Sequence, residues 1–147
     1  MSTRSTIGVE VEKGLYKYIY CHFDGYPEYN GLMLIDHYKD RGKIEKLIAL
    51  GDISSLAEKV EPDPTRPHSF DGERQDDVVV AYGRDRGETG IDAQEGSLED
   101  MASGWIEYVY VYTLDNKWLY ADTYYEPLKL KSLKTKVNKI KKEKKEV

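Results

Sequence analysis

One cysteine, Cys21, is all that the 147 residues contain. No intrachain disulfide can form and no cysteine-based zinc set can be assembled, so stability must come from a packed core and the chain suits a reducing compartment. Long apolar runs are missing too: nothing approaches the roughly 20 consecutive apolar residues that a membrane-spanning helix needs. The opening segment, MSTRSTIGVEVEKG, has no apolar h-region, which argues against secretion and insertion and for the cytoplasm. Motifs of familiar chemistries are absent as well. There is no G-x-x-x-x-G-K-S/T phosphate loop, no G-x-S-x-G elbow and no H-E-x-x-H pair. The three histidines, His22, His37 and His68, lie at spacings that define no common metal site, so neither a metal nor a cofactor is expected, and no catalytic residue is assigned.

What is abundant is tyrosine, thirteen against two phenylalanines and two tryptophans. A large apolar ring with a hydroxyl that wants a partner suits half-buried sheets and partly wet binding surfaces. Charge is unevenly spread. Residues 128–147 hold nine lysines and two glutamates, a net of +7, so with a total of −5 residues 1–127 carry −12. An acidic body repels a nucleic-acid backbone, which makes direct nucleic-acid binding unfavourable except through the tail, where no aromatic residue interleaves the lysines.

The length fits one α+β domain over residues 1–127 followed by a basic helical tail over 128–147. STIGVEVEKG alternates with Ile7, Val9 and Val11 on one side, and LYKYIYCHF places Ile19, Cys21 and Phe23 opposite Tyr16, Tyr18, Tyr20 and His22, so the two read as an antiparallel hairpin turning at Lys13-Gly14. Helical stripes follow, Leu32 to Tyr38 with Asn30 as N-cap and Ile44 to Leu50 with Gly51 as stop, and DISSLAEKV reads as a further helical turn. Residues 61–77 hold three prolines and read as an exposed loop. DVVVAYGR reads as a central strand buried on both faces, DRGETGIDAQEG as a polar loop, and SLEDMASG as a short helix opened by a capping arrangement from Ser97 to Asp100. Two aromatic, β-branched runs joined at Asp115-Asn116-Lys117 give a second hairpin. In the tail, Leu133, Val137 and Ile140 form one helical stripe among lysines. The sum is an antiparallel sheet of about five strands with two to three helices on one face and a lysine-rich C-terminal helix.

Two stretches concentrate polar chemistry. In IYCHFDGYPEYNG, adjacent Cys21 and His22 point to opposite faces of a strand and cannot act as a pair. Cys21 is in phase with the core, while His22, Asp24, Tyr26 and Tyr29 either build a loop into a helix or flank an anion site near Asn30 and Gly31. In YGRDRGETG, Arg84 and Arg86 at a strand end suit bidentate contact with phosphate or carboxylate, and Arg84, Asp85, Arg86 and Glu88 equally suit an internal ion-pair cluster.

The segments MSTRSTI, IYCHFDGYPEYNG, LIALGDISSL and AYGRDRGE together resemble a family of small proteins encoded by tailed bacteriophages and prophages, over about residues 1–125. In that family the position of Phe23 is usually tryptophan, and the lysine-rich tail departs from the pattern. The resemblance brings no activity, cofactor or catalytic residue. It implies a small protein expressed in the bacterial cytoplasm during infection, of a kind that redirects or blocks host functions, antiviral defence included, by binding. Two versions follow. In one, the acidic body covers a basic surface of a host or defence protein. In the other, Arg84, Arg86, Tyr26 and Tyr29 sequester a nucleotide ligand. The alternatives are an enzyme on nucleotides or nucleic acid, with His22 as acid or base and Asp24 or Asp85 holding a divalent ion, and a minor virion or assembly component. The second hairpin, Trp105 to Tyr125, is where a homodimer would pair.

Overall fold

The computed structural model describes residues 2–145. Strand β1 (Ser5–Glu12) turns at Lys13-Gly14 into β2 (Leu15–Cys21) and the two pair antiparallel, Gly14 taking the left-handed conformation (φ 79°) that a two-residue turn requires. A π-helical turn, Pro27–Gly31, leads directly into α1 (Leu32–His37), so Asn30 lies inside helical backbone and is fully buried, not an N-cap. Helix α2 (Arg41–Ala49) starts where the Asp40 carboxylate accepts from Lys43 N–H and stops at Gly51 with φ 77°.

DISSLAEKV does not continue as helix. Ile53–Ser55 form β3, parallel to β2, because the buried Ile53 completes the core face beyond Cys21. The three valines are buried on both faces as expected, yet β4 (Val80–Ala81) is the edge of the sheet and not its centre. The chain then forms α3 (Tyr82–Arg86) where Tyr82 to Arg84 read as the end of the strand and Asp85-Arg86 as the start of a loop, β5 (Gln94–Gly96), and α4 (Leu98–Met101) with a complete capping box between Ser97 and Asp100. Strands β6 (Tyr108–Tyr112) and β7 (Trp118–Asp122) make the second hairpin, and β8 (Lys131–Ser132) precedes α5 (Leu133–Lys145).

The sheet order is β4-β3-β2-β1-β6-β7-β8, with β5 also on β2. This corrects the expected architecture: eight strands replace about five, and the sheet is mixed, since β1–β6 and β2–β3 run parallel. Four of the strands are only two or three residues long, too short to carry an alternation that a sequence can display.

One face carries Ile7, Val9, Ile19, Cys21, Tyr110, Tyr112, Trp118 and Tyr120 under α1, α2 and α5; the other carries Tyr16, Tyr18, Val109, Val111 and Ala121 under Met101 of α4 and the segment around Leu128 and Leu130. Both faces of the β6–β7 hairpin are therefore covered within one chain. Gly8 makes the second layer possible, because a Cβ there would lie 2.9 Å from Met101 Cε, Tyr18 Cβ and the Lys17 carbonyl. Leu133 and Val137 of the lysine-rich segment are fully buried in the first layer, with Ile140 nearly so. Leu133→Ala should therefore destabilise the whole domain by about 2–4 kcal/mol in urea unfolding, the cost of a core cavity, whereas Lys134→Ala should cost less than about 0.5 kcal/mol.

Candidate functional site

Strand alternation sends Cys21 inward and His22 outward. The Cys21 thiol donates to the Phe23 carbonyl at 3.5 Å and accepts from Asn30 Nδ2 at 3.4 Å, and burial pushes its pKa up to about 11. It is a core residue with no thiolate to offer. The turn after it is clamped. Asp24 sits at φ 56°, Gly25 N–H donates to the Thr3 carbonyl, and a Cβ on Gly25 would come within 2.7 Å of that oxygen. Tyr26 donates to Asp24 Oδ1 (3.0 Å) and Tyr29 to the Leu56 carbonyl (3.2 Å), so both tyrosine hydroxyls hold the loop on which they stand.

The second stretch is built the same way. Arg84 spends four of its five N–H groups internally: two on the Asp85 carboxylate (2.8 and 3.0 Å), one on the Val60 carbonyl and one on the Val79 carbonyl (2.6 Å each). Asp85, its side chain 2% exposed, also accepts from Ala81 N–H (2.8 Å) and faces His68 Nε2 at 3.3 Å. His68 Nδ1 accepts from Gln75 N–H, and the Gln75 side chain holds Asp63 and Arg66. Burial alone would raise the Asp85 pKa; the Arg84 and Ala81 hydrogen bonds, with the Arg84 charge, outweigh it and hold the carboxyl below its usual range. Arg86 lies over the Phe70 and Tyr82 rings (4.3 and 5.0 Å to the centroids) and pairs with Glu88 at 2.6 Å. These contacts tie the proline-rich loop to the β4–α3 corner.

The register Cys21↔Ile53↔Ala81 sets the ends of β2, β3 and β4 side by side, so the segments holding His22 and Tyr82 to Arg86 start from neighbouring strands. Just beyond the last pair, Ser5↔Cys21, the two chains continue into Arg4, a residue that the sequence did not single out, and His22, and the Arg4 guanidinium bears on both Tyr20 and His22. Tyr20 hydroxyl and His22 Nδ1 are 2.6 Å apart. With the Arg4 guanidinium beside the phenol, the hydroxyl hydrogen is assigned to Nδ1, which leaves the ring hydrogen on Nε2. Burial, and then the Arg4 charge, lower the His22 pKa.

At the other side of the sheet, a cleft of about 630 Å³ lies among Tyr108, Tyr120 and Tyr125, with Lys129, Lys131 and Lys136 facing Glu28, Asp122 and Glu126. It was invisible to a reading that kept the tail apart from the domain.

No protein-family model, no curated protein and no solved structure matches the chain. Among the described residues no helix is long and apolar enough to cross a membrane.

A depressed folded-state pKa stabilises above the unfolded value and loses that contribution as pH falls through the folded one. Stability measured by denaturant from pH 6 down should therefore drop below the usual carboxyl value of 3.8, and Asp85→Asn should be less stable at pH 6 with a shallower acid limb. Native Cys21 should resist iodoacetamide at pH 8 and react once the chain is unfolded in urea.

Proposed function

We propose that the protein is a phage-encoded accessory factor that acts by binding and not by catalysis, laying an acidic surface against a basic surface of a host or antiviral-defence protein in the bacterial cytoplasm. The observation that carries this is a fixed concentration of negative charge. Residues 61–100 hold twelve acidic and four basic side chains, a net of −8, and Glu61, Asp71, Glu73, Asp76, Asp77, Asp92 and Glu95 are exposed. Loops of this composition are ordinarily mobile, and holding one still on binding costs conformational entropy. Here the Arg84–Asp85–His68–Gln75 network, closed on the buried Asp85 and His68 side chains, has already bound the loop to β4. A preorganised acidic face speeds encounter with a basic partner and fixes its register.

The phage assignment is supported by the resemblance of the four sequence segments. The binding mode is supported by the internal use of the groups that would otherwise serve chemistry: three groups already contact the Asp85 carboxylate, and Tyr26 and Tyr29 brace their own loop.

Affinity purification from the bacterial host should yield a basic partner whose capture weakens steeply with added salt. The variant carrying Asp71→Asn, Glu73→Gln, Asp76→Asn and Asp77→Asn should lose capture by about tenfold or more while unfolding at the wild-type denaturant midpoint. Undiminished capture by that variant would remove the acidic face from the mechanism.

A further inference from the structure

Five of the six arginines place their guanidinium on a carboxylate or carbonyl oxygen: Arg41 on Thr113 and Asn116, Arg66 on Asp63, Arg74 on Phe70, Arg84 on Asp85 and two carbonyls, Arg86 on Glu88. Arg4 is different. Among the described residues it has no carboxylate partner; its guanidinium lies against the Tyr20 hydroxyl, and its Nε is buried with no acceptor. In a body of net charge −12 a half-buried arginine with no carboxylate partner is a positive charge left for an external anion.

Its neighbours have the right chemistry. His22, next after the last strand pair Ser5↔Cys21, is neutral and presents Nε2–H once Nδ1 is occupied by Tyr20. Asp52, from the β2–β3 side, is turned to the backbone, where Oδ1 accepts from Tyr20 N–H at 2.9 Å. Phe23, 44% exposed, stands edge-on to the His22 ring at 4.5 Å and offers an aromatic face. We propose that Arg4 and His22, braced by Tyr20, form a site for the phosphoryl group of a nucleotide, whose base stacks on Phe23. The charged fork and the imidazole N–H supply directional donors to phosphate oxygens, and the ring supplies sequence-tolerant stacking. This site is separate from the acidic face, and either can fail without the other.

Adenosine 5′-monophosphate and inorganic phosphate are the probes, read by the His22 ring resonances in nitrogen-15 NMR and by calorimetry on the full chain. The nucleotide should shift His22 saturably, and Arg4→Gln should weaken it by about tenfold or more, with Arg4→Lys recovering part of the loss. Phe23→Ala should weaken the nucleotide by about threefold or more and leave phosphate unchanged. Lys131→Gln, in the cleft lined by Tyr108 and Tyr120, should change neither. No shift of His22 with either probe would overturn the proposal, as would unchanged affinity in a folded Arg4→Gln variant. An equal loss in Lys131→Gln would place the ligand in the lysine-lined cleft, and phosphate binding as tightly as the nucleotide would remove Phe23 from the site.

Discussion

The register of β1 on β2 depends on one irregularity between Glu10 and Glu12. A two-residue turn at Lys13-Gly14 pairs Glu12 with Leu15, and continuing that register would set Ile7 against Tyr20 and put core and outer residues on the same face. The alternation of the two strands demands instead that Ile7 meet Ile19. One extra residue in β1 reconciles the two requirements, and from Glu10 back to Ser5 the pairs then alternate between the layers, Ile7 with Ile19 facing the first and Tyr16 and Tyr18 the second. The other long pairing, β1 on β6, inherits this choice. Val9 stands beside Tyr112 and Ile7 beside Tyr110, so the tyrosines of β6 are buried against the helices while Val109 and Val111 turn to the second layer.

That irregularity also marks where a sequence reading stops. The hairpins, the α1–α2 stripes, the Ser97–Asp100 cap and the apolar stripe of α5 are legible because each is a local pattern of period two or 3.6. The bulge is not, since turn chemistry and alternation disagree by one residue and nothing local says which gives way. Arg4 is hidden for the same reason: carried past Ser5, the turn's own register leads it towards Phe23, whereas the shifted one, which ends at Ser5↔Cys21, leads it towards His22. The short strands β3, β5 and β8 were missed because two or three residues have no period, and their identity is decided by the strand they complete; β4 was read as a strand from its valines but set at the centre instead of the edge.

The polar stretches show a different limit. Residue type suggested that Arg84, Asp85 and Arg86 suit either a ligand or one another, and sequence spacing does not distinguish the two. The decision lies with His68 and Gln75, which come from a proline-rich loop with no regular structure and close over the Asp85 carboxylate. Tertiary hydrogen bonds of this kind link segments with no periodic relation, so the same residues that look reactive in a string become the fastening of a loop. Charge, by contrast, was legible directly: the acidic loops leave from the β3–β4 side and the lysines gather by β7, β8 and α5, so the two signs separate across the width of the sheet.

The parallel contact of β1 with β6 has a kinetic meaning. Ser5 must find Tyr108, and β6 brings β7, β8 and the seat of α5 with it, so half of the sheet waits on closing a loop that contains most of the chain. The first hairpin, α1 and α2 can form from near neighbours, whereas the Tyr110 layer cannot be dry until that distant closure is complete. Folding should accordingly be slow for a domain of this size, with the β1 edge that later receives β6 exposed to other chains in the interval.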